Sequence, residues 1–293
     1  MFTLPETRFD FAGDEYIYAE ISREMGLASN FKALAITNEL RKRNIPGLID
    51  ICPANASYLV RFNPEIISSQ DLLDYLIEID ITKSNVAELN LSTRIVEIPT
   101  WYDDPITRSY SERFASRHQH PGQSDFDFVM KCNGFTDKTA FIQAHSSTPY
   151  FITMVGYIPG TSWEFPLGTT NEEILQAPKY LSPRSKTPNR AIGLGGAFNA
   201  IYPVDSPGSY QLIGMSAVPV YDKERRFPEL RDYVLAKPGD IWRHRPIDEA
   251  EYWQIVADVE KGTYTYRTRD VEFSPKEYLL RGKAYIALLM EGF

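Results

Sequence analysis

Three cations, Arg184, Lys186 and Arg190, stand within seven residues in the run Ser182-Pro183-Arg184-Ser185-Lys186-Thr187-Pro188-Asn189-Arg190. Prolines on both sides stiffen such a loop, so an anion would meet cations that need little ordering. A guanidinium suits two-point recognition of a carboxylate. A basic surface loop is the competing reading, although stiff loops on a scaffold are enriched in binding sites. Gly193-Leu194-Gly195-Gly196 resembles a phosphate loop and fails the pattern. The third glycine of GxGxxG falls on Phe198, and the next residues read as a strand, so no helix N-terminus faces a phosphate. Close approach of backbones between strands is the favoured reading, with a substrate-lining loop as the alternative.

The four histidines carry weaker signals. His118 and His120 form an HxH pair without a nearby acidic or cysteine ligand and read as a solvated loop. His244 sits between two arginines and reads as a surface residue. His145 ends a predicted helix just before the first β run, where side chains often face a cleft; a helix-end histidine favoured by the macrodipole is the alternative. There is no GxSxG elbow and no Cys–His pairing at a familiar spacing. The acidic residues are scattered, so spacing does not single out an acid–base pair.

The elements that must position these groups fall into blocks. Tyr16–Ile21 reads as a strand. A helix over 30–43 follows, capped by Ser29 and stopped by Asn44 and Pro46-Gly47. Strands at 48–52 and 57–62 come next. Ser68-Ser69-Gln70-Asp71 opens a second helix that buries Leu72, Leu73, Leu76 and Ile79. A strand over 94–98 completes a βαββαβ order, with a boundary at Pro99. The polar stretch 103–147 predicts two or three short helices. From Tyr150 to about Ile247, short β runs punctuated by Gly and Pro predict a barrel or sandwich. Asp248 opens a helix closed by Gly262, and Ser274-Pro275-Lys276-Glu277 opens another.

Composition bounds the rest. The chain has 293 residues, 13% aromatic, enough to bury a sizeable core. Its formal charge of −8 argues against a nucleic-acid footprint and against polybasic attachment to lipid. No apolar stretch is long enough to span a membrane and the N-terminal residues do not read as a secretory signal. Cys52 and Cys132 are too few for a disulfide framework, and neither lies in a CxxC pair, so neither structural zinc nor any other metal site is expected. The expected compartment is the cytoplasm.

Several segments occur in the order seen in a known family. They are Gly13-Asp14, Pro53-Ala54, Ser57-Tyr58-Leu59-Val60, His145, the stretch from Met154 to Gly160, Ser182-Pro183-Arg184, Ile201-Tyr202-Pro203, Ser206-Pro207-Gly208 and Gln211-Leu212-Ile213-Gly214. The chain thereby resembles the KipI family, also known as allophanate hydrolase subunit 1 or the 5-oxoprolinase B subunit, which corresponds to part of the carboxyltransferase domain of urea carboxylase. The resemblance implies a small α/β N-terminal domain followed by a cyclophilin-like β-barrel. With the pattern of elements this gives an α+β fold: an N-terminal sandwich over 1–99, a helical insertion plus barrel over 100–247, and a C-terminal helical appendage over 248–293.

The resemblance further implies a carboxyltransferase-type subunit of a heteromeric, ATP- and biotin-dependent enzyme acting on a urea-, amide- or lactam-like substrate. A KipA-type (allophanate hydrolase subunit 2-like) subunit would be its partner, alongside a biotin carboxylase and a biotin carrier protein, with no cofactor bound covalently to this chain. One alternative is a biotin-independent 5-oxoprolinase or allophanate hydrolase subunit. Another is a KipI-like inhibitor of a sensor histidine kinase.

Carboxyl transfer needs donors for an anionic oxygen and a means of holding both reactants. On that basis His145, Arg184 and Gln211 are the expected catalytic residues. Gln211 would orient an amide through paired donor and acceptor, a structural barrel amide being the alternative. Lys186, Arg190, Gly195, Gly196 and Tyr202 are the expected substrate-binding residues. The sequence departs from the common family pattern at Thr161-Ser162-Trp163-Glu164, at Phe198 and at Arg190, which are candidates for facing the pocket and point to a substrate other than oxoproline.

Overall fold

Alternating apolar residues on short strands and a 3.6-residue repeat on the helices fold the N-terminal third into a sheet backed by helices. The computed structural model describes residues 4–83 and 85–293. It divides into two units, 1–93 with 271–289 and 94–270 with 290–293. The first contains β1 (Arg8–Phe11), β2 (Tyr16–Glu20), α1 (Leu27–Arg43), β3 (Leu48–Pro53), β4 (Ser57–Phe62) and α2 (Ser69–Thr82). Its four-stranded antiparallel sheet has the order β1-β2-β4-β3. Ile17, Ala19, Tyr58 and Val60 on the sheet meet Ile36, Leu40, Leu72 and Leu76 on the helices.

Helix α2 starts as its sequence predicts, the Ser68 hydroxyl accepting from the Asp71 amide. Helix α1 starts earlier than expected, after Gly26, which makes no side-chain cap; Ser29 is instead buried within the first turn. The βαββαβ expectation also changes. Strand β1 precedes it, and the strand expected at 94–98 is the middle of β5 (Leu91–Tyr102), paired into a different sheet. Its residues 95–100 are all buried, which fits a strand enclosed on both faces and places Pro99 inside a strand instead of at a boundary.

In the second unit β5 leads to three short helices, α3 (Pro105–Arg113), α4 (Asp125–Cys132) and α5 (Lys138–Ser146), each N-capped by an aspartate or serine side chain. Then come β6 (Tyr150–Val155), β7 (Ser162–Pro166), β8 (Arg184–Thr187), β9 (Ala191–Gly195), β10 (Phe198–Ile201), β11 (Ser206–Gly208), β12 (Gln211–Ser216) and β13 (Ile241–Pro246). The order β12-β9-β10-β7-β6-β13-β5 closes on itself through Gly214 and Tyr102, pairing β12 with β5. This is a seven-stranded barrel, and closure leaves its backbone groups no open edge. All its pairings are antiparallel except β13 with β5. Strands β8 and β11 form a separate two-stranded ribbon.

The C-terminal segment is shared between the units and does not form an appendage of its own. Helix α6 (Glu249–Lys261) ends at Gly262 with φ 71° and sets Tyr252 against Trp101, ring centroids 5.0 Å apart. Strand β14 (Thr268–Phe273) follows. Phe273 then stacks with Phe31 of the first unit at 5.3 Å. Gly282 breaks what the sequence predicts as one helix into α7 (Pro275–Arg281) and α8 (Lys283–Leu289). Among the described residues no helix is long and apolar enough to cross a membrane.

Candidate active site

Strand β7 alternates Ser162 and Glu164 into the barrel with Trp163 and Phe165 outside it, the ordinary period-2 consequence of a pleated strand. Outside, Trp163 packs against Phe198 of β10, centroids 5.7 Å apart, and lies edge-on to Tyr210 at 6.0 Å. Trp163 and Tyr210 border a cleft of about 210 Å³ also lined by Tyr157, Thr161, Lys179 and Tyr202. The Lys179 ammonium lies 5.3 Å from the Tyr210 ring centre. The Thr161 hydroxyl is buried and has no hydrogen-bond partner among the described residues. Burial raises the Tyr202 and Tyr210 phenols above their usual range, so both keep their protons and can donate.

The glycines explain how two tyrosines fit here. A Cβ on Gly195 would lie 2.3 Å from Tyr210 Cδ1, and one on Gly208 would lie 2.3 Å from the Tyr202 hydroxyl. Gly193 and Gly195 therefore make room for the Tyr210 side chain, so what approaches closely is a ring and not, as expected, another backbone. Tyr157 closes one side of the cleft with φ 76°, a left-handed conformation that a tyrosine adopts only under constraint. Its hydroxyl donates to the Pro207 carbonyl at 3.1 Å.

The three cations of the basic run are not brought together. Arg184 is fully buried. Its guanidinium donates to the Tyr210 carbonyl at 2.7 Å, to Thr187 Oγ1 at 3.3 Å and to Asp125 at 3.4 Å, and stacks on Tyr180. Asp125 also accepts from the Tyr180 and Ser111 hydroxyls and from the Leu212 amide. With its donors engaged, Arg184 supports the cleft tyrosines from behind and does not grip a solvent-borne anion. Lys186 is half-exposed and pairs with Asp205 at 2.8 Å. Arg190, at φ 67°, donates to the Ala217 carbonyl. Gly196 sits in a backbone bridge with Ala177.

Gln211 is spent on the protein. Its amide donates to the Pro178 carbonyl at 2.8 Å, and its carbonyl accepts from His118 Nε2 at 3.0 Å. His118 Nδ1 accepts from the His120 amide, which fixes the proton on Nε2. His118 is thus a buried residue and not part of a solvated loop.

His145 lies inside the barrel, fully buried. Its Nδ1 is 2.7 Å from the Tyr102 hydroxyl and its Nε2 accepts from Asn199 at 2.8 Å. Burial, with the neighbouring His244 acting in the same direction, holds it well below the usual histidine range, so it is neutral. His244, expected at the surface, is buried as well, because on β13 it alternates inward with Trp242 while Arg243 and Arg245 point outward. Its Nε2 meets Glu164 at 2.8 Å and its Nδ1 meets the Thr100 hydroxyl at 3.0 Å. The Thr100 hydroxyl in turn donates to the Ile98 carbonyl at 3.0 Å. Glu164 also accepts from Ser162 at 2.7 Å. Ser162 and Glu164, expected to face the pocket, turn into the barrel instead, and sequence reasoning missed their partner His244 as well as Lys179 and Tyr210; the polar–aromatic alternation of Ser162-Trp163-Glu164-Phe165 was the available signal. Among the described residues, no group of three or more His, Cys, Asp or Glu is placed to hold a metal ion.

Comparison with known proteins adds what the geometry alone does not. The family model for the carboxyltransferase domain, subdomain C and D, matches residues 7–231. A urea amidolyase of Lachancea kluyveri is 25% identical over 280 residues, which are 94% of this chain and 15% of that protein. The chain thus spans only a small part of that relative. The 5-oxoprolinase B subunit of Escherichia coli O157:H7 is 26% identical over 239 residues, 81% of this chain and 94% of that one. The crystal structure of the Kluyveromyces lactis urea carboxylase superposes with a TM-score of 0.81 at 23% identity, covering 98% of this chain and 25% of that one, and shows the same fold.

Proposed function

The chain belongs to the carboxyltransferase domain family, subdomain C and D, and from that membership we propose that it is the carboxyltransferase-type subunit of a heteromeric enzyme acting on a urea-, amide- or lactam-like substrate, completed by a KipA-type partner and driven by ATP. The observation that carries this reading is the cleft itself: aromatic walls, protonated phenols, an unpartnered hydroxyl and one cation suit a flat amide-type group bearing a negative charge. Trp163 and Tyr210 offer ring faces, Tyr202 and Thr161 offer polar contacts, and Lys179 offers charge to a carboxylate.

A ureido ring fits the same donor set, so biotin on a separate carrier protein is the proposed source of the carboxyl group. The same residues of this chain would then hold that ring, screen it from water and place it against the acceptor. The test is reconstitution. The pure chain is assayed with ATP, bicarbonate and urea, or with ATP and 5-oxoproline or allophanate, then again after adding a KipA-type subunit with and without a biotin carrier. Turnover should need the partner, and Lys179→Ala should lower it about tenfold with the melting temperature unchanged, since Lys179 is exposed. Robust turnover by the chain alone would sink the proposal.

A second reading has its own support. The similarity to the 5-oxoprolinase B subunit runs over 94% of that protein. If activity on 5-oxoproline appears without a biotin carrier, the biotin-independent form replaces the first.

A further inference from the structure

Helix α2 carries four acidic residues, Asp71, Asp74, Glu78 and Asp80, and no lysine or arginine. Asp80 turns inward and is satisfied by the buried Lys32 at 2.9 Å. The other three lie at i, i+3 and i+7, one ridge along the outer face of the helix. Asp71 bonds the Ser68 hydroxyl and Asp74 the Gln70 amide; neither is ion-paired among the described residues. Glu78 shares Arg43 at 3.1 Å.

Beside this ridge lies a groove of about 620 Å³ lined by Ile66, Ile67 and Tyr75 as well as by the three carboxylates. Ile66 is 61% and Tyr75 42% exposed. Ile77 and Ile81, also exposed, flank the ridge on its other side. Apolar side chains of this size left in water beside a shaped groove mark an interaction surface.

We propose that this face docks a basic amphipathic helix of a partner protein. Its apolar side chains seat against Ile66, Ile67 and Tyr75, and its lysines or arginines run along Asp71, Asp74 and Glu78. Charge decides the occupant. An isologous contact with a second copy would set carboxylates against carboxylates. The same carboxylates repel the phosphates of nucleic acid and anionic lipid. Three carboxylates at i, i+3 and i+7 match cations at the corresponding spacing on a helix laid alongside. The surface lies in the first unit and is independent of the cleft, so its failure says nothing about the proposed reaction.

The full chain is titrated into a fluorescently labelled amphipathic peptide of leucine and lysine, and into a leucine and glutamate peptide of the same pattern, with anisotropy as readout. The lysine peptide should bind and the glutamate peptide should not. Asp74→Lys with Glu78→Lys should weaken binding about tenfold or more, and Tyr75→Ala should weaken it too. Asp232→Lys, a charge reversal at an exposed site on the other unit, should change nothing. Hydrogen exchange on the unaltered chain gives a measurement that no variant can spoil: protection on peptide addition should map to residues 66–81. No binding, equal weakening by Asp232→Lys, or protection confined to other segments overturns the proposal.

Discussion

Glu164 and Asn199 face each other directly across β7 and β10 inside the barrel, while their chain neighbours Trp163 and Ala200 line the cleft on the opposite face. One pair of strands therefore joins a buried polar network to the aromatic walls. The network ends on His244, with both Glu164 and His244 fully buried. Removing one partner of such a pair leaves the other without compensation in a low-dielectric interior.

Glu164→Ala is expected to destabilise the protein by about 3–5 kcal/mol, read from urea denaturation at neutral pH. A change within the experimental error of such an extrapolation would mean that His244 is not held by Glu164.

The depressed pKa of His145 gives a second expectation. The folded state keeps this imidazole neutral, while the unfolded chain protonates it near the ordinary value of 6.5. The unfolded state therefore binds the extra proton. The contribution of His145 to stability is intact above pH 6.5 and falls as pH drops below it, by up to about 1.4 kcal/mol per pH unit, until the folded pKa is reached. Other groups titrate in the same range, so the comparison is with His145→Gln. The difference in stability between the two proteins should shift by about that slope between pH 6.5 and 5. Parallel curves would show that His145 is exposed to protons in the folded state.

Local signals in the sequence translated well. Ser68 and Asp248 cap α2 and α6, and Gly262 closes α6, because caps depend on neighbours a few residues away. The run that became β6 was legible from its β-branched and aromatic content. The family's barrel was expected from a resemblance, and the structure shows it closed. What stayed hidden was long-range. Glu164 and His244 meet across 80 residues of chain. A barrel interior that holds ionisable side chains inverts the usual rule that such positions face water, so His244 read as surface. Arg184 misled for the same reason: its partner Asp125 is 59 residues away, and without it three nearby cations look like one anion site. Thr161 and Trp163, singled out as departures from the family pattern, do line the cleft.

Arg184 now predicts stability before activity. Arg184→Ala removes the cation beside the buried Asp125 carboxylate, which keeps its three other donors, and the guanidinium donor to the Tyr210 carbonyl, and should cost about 3–5 kcal/mol. Arg184→Lys should recover only part, since an ammonium cannot reach Asp125, Thr187 and Tyr210 in one plane. Melting temperatures of the three proteins decide this. If Arg184→Ala melts normally and loses only turnover, the residue acts on substrate after all.

Gly195 offers the sharpest test of how the cleft is shaped. Its backbone conformation is ordinary, so an alanine there carries no φ penalty, and the nearest obstacle is the Tyr210 ring. The ring must move, and the cleft is the space beside it. Overpacking of this kind costs about 1–3 kcal/mol. Gly195→Ala should therefore lower stability modestly and weaken ligand binding in the cleft. In a Tyr210→Ala background Gly195→Ala should cost no further stability, because the clashing ring is gone, while binding stays weak, because an aromatic wall is gone with it. Denaturation curves and calorimetric titration with a ureido or lactam ligand separate the two effects. Additive losses of stability in the double variant would show that Gly195 is constrained by something other than Tyr210.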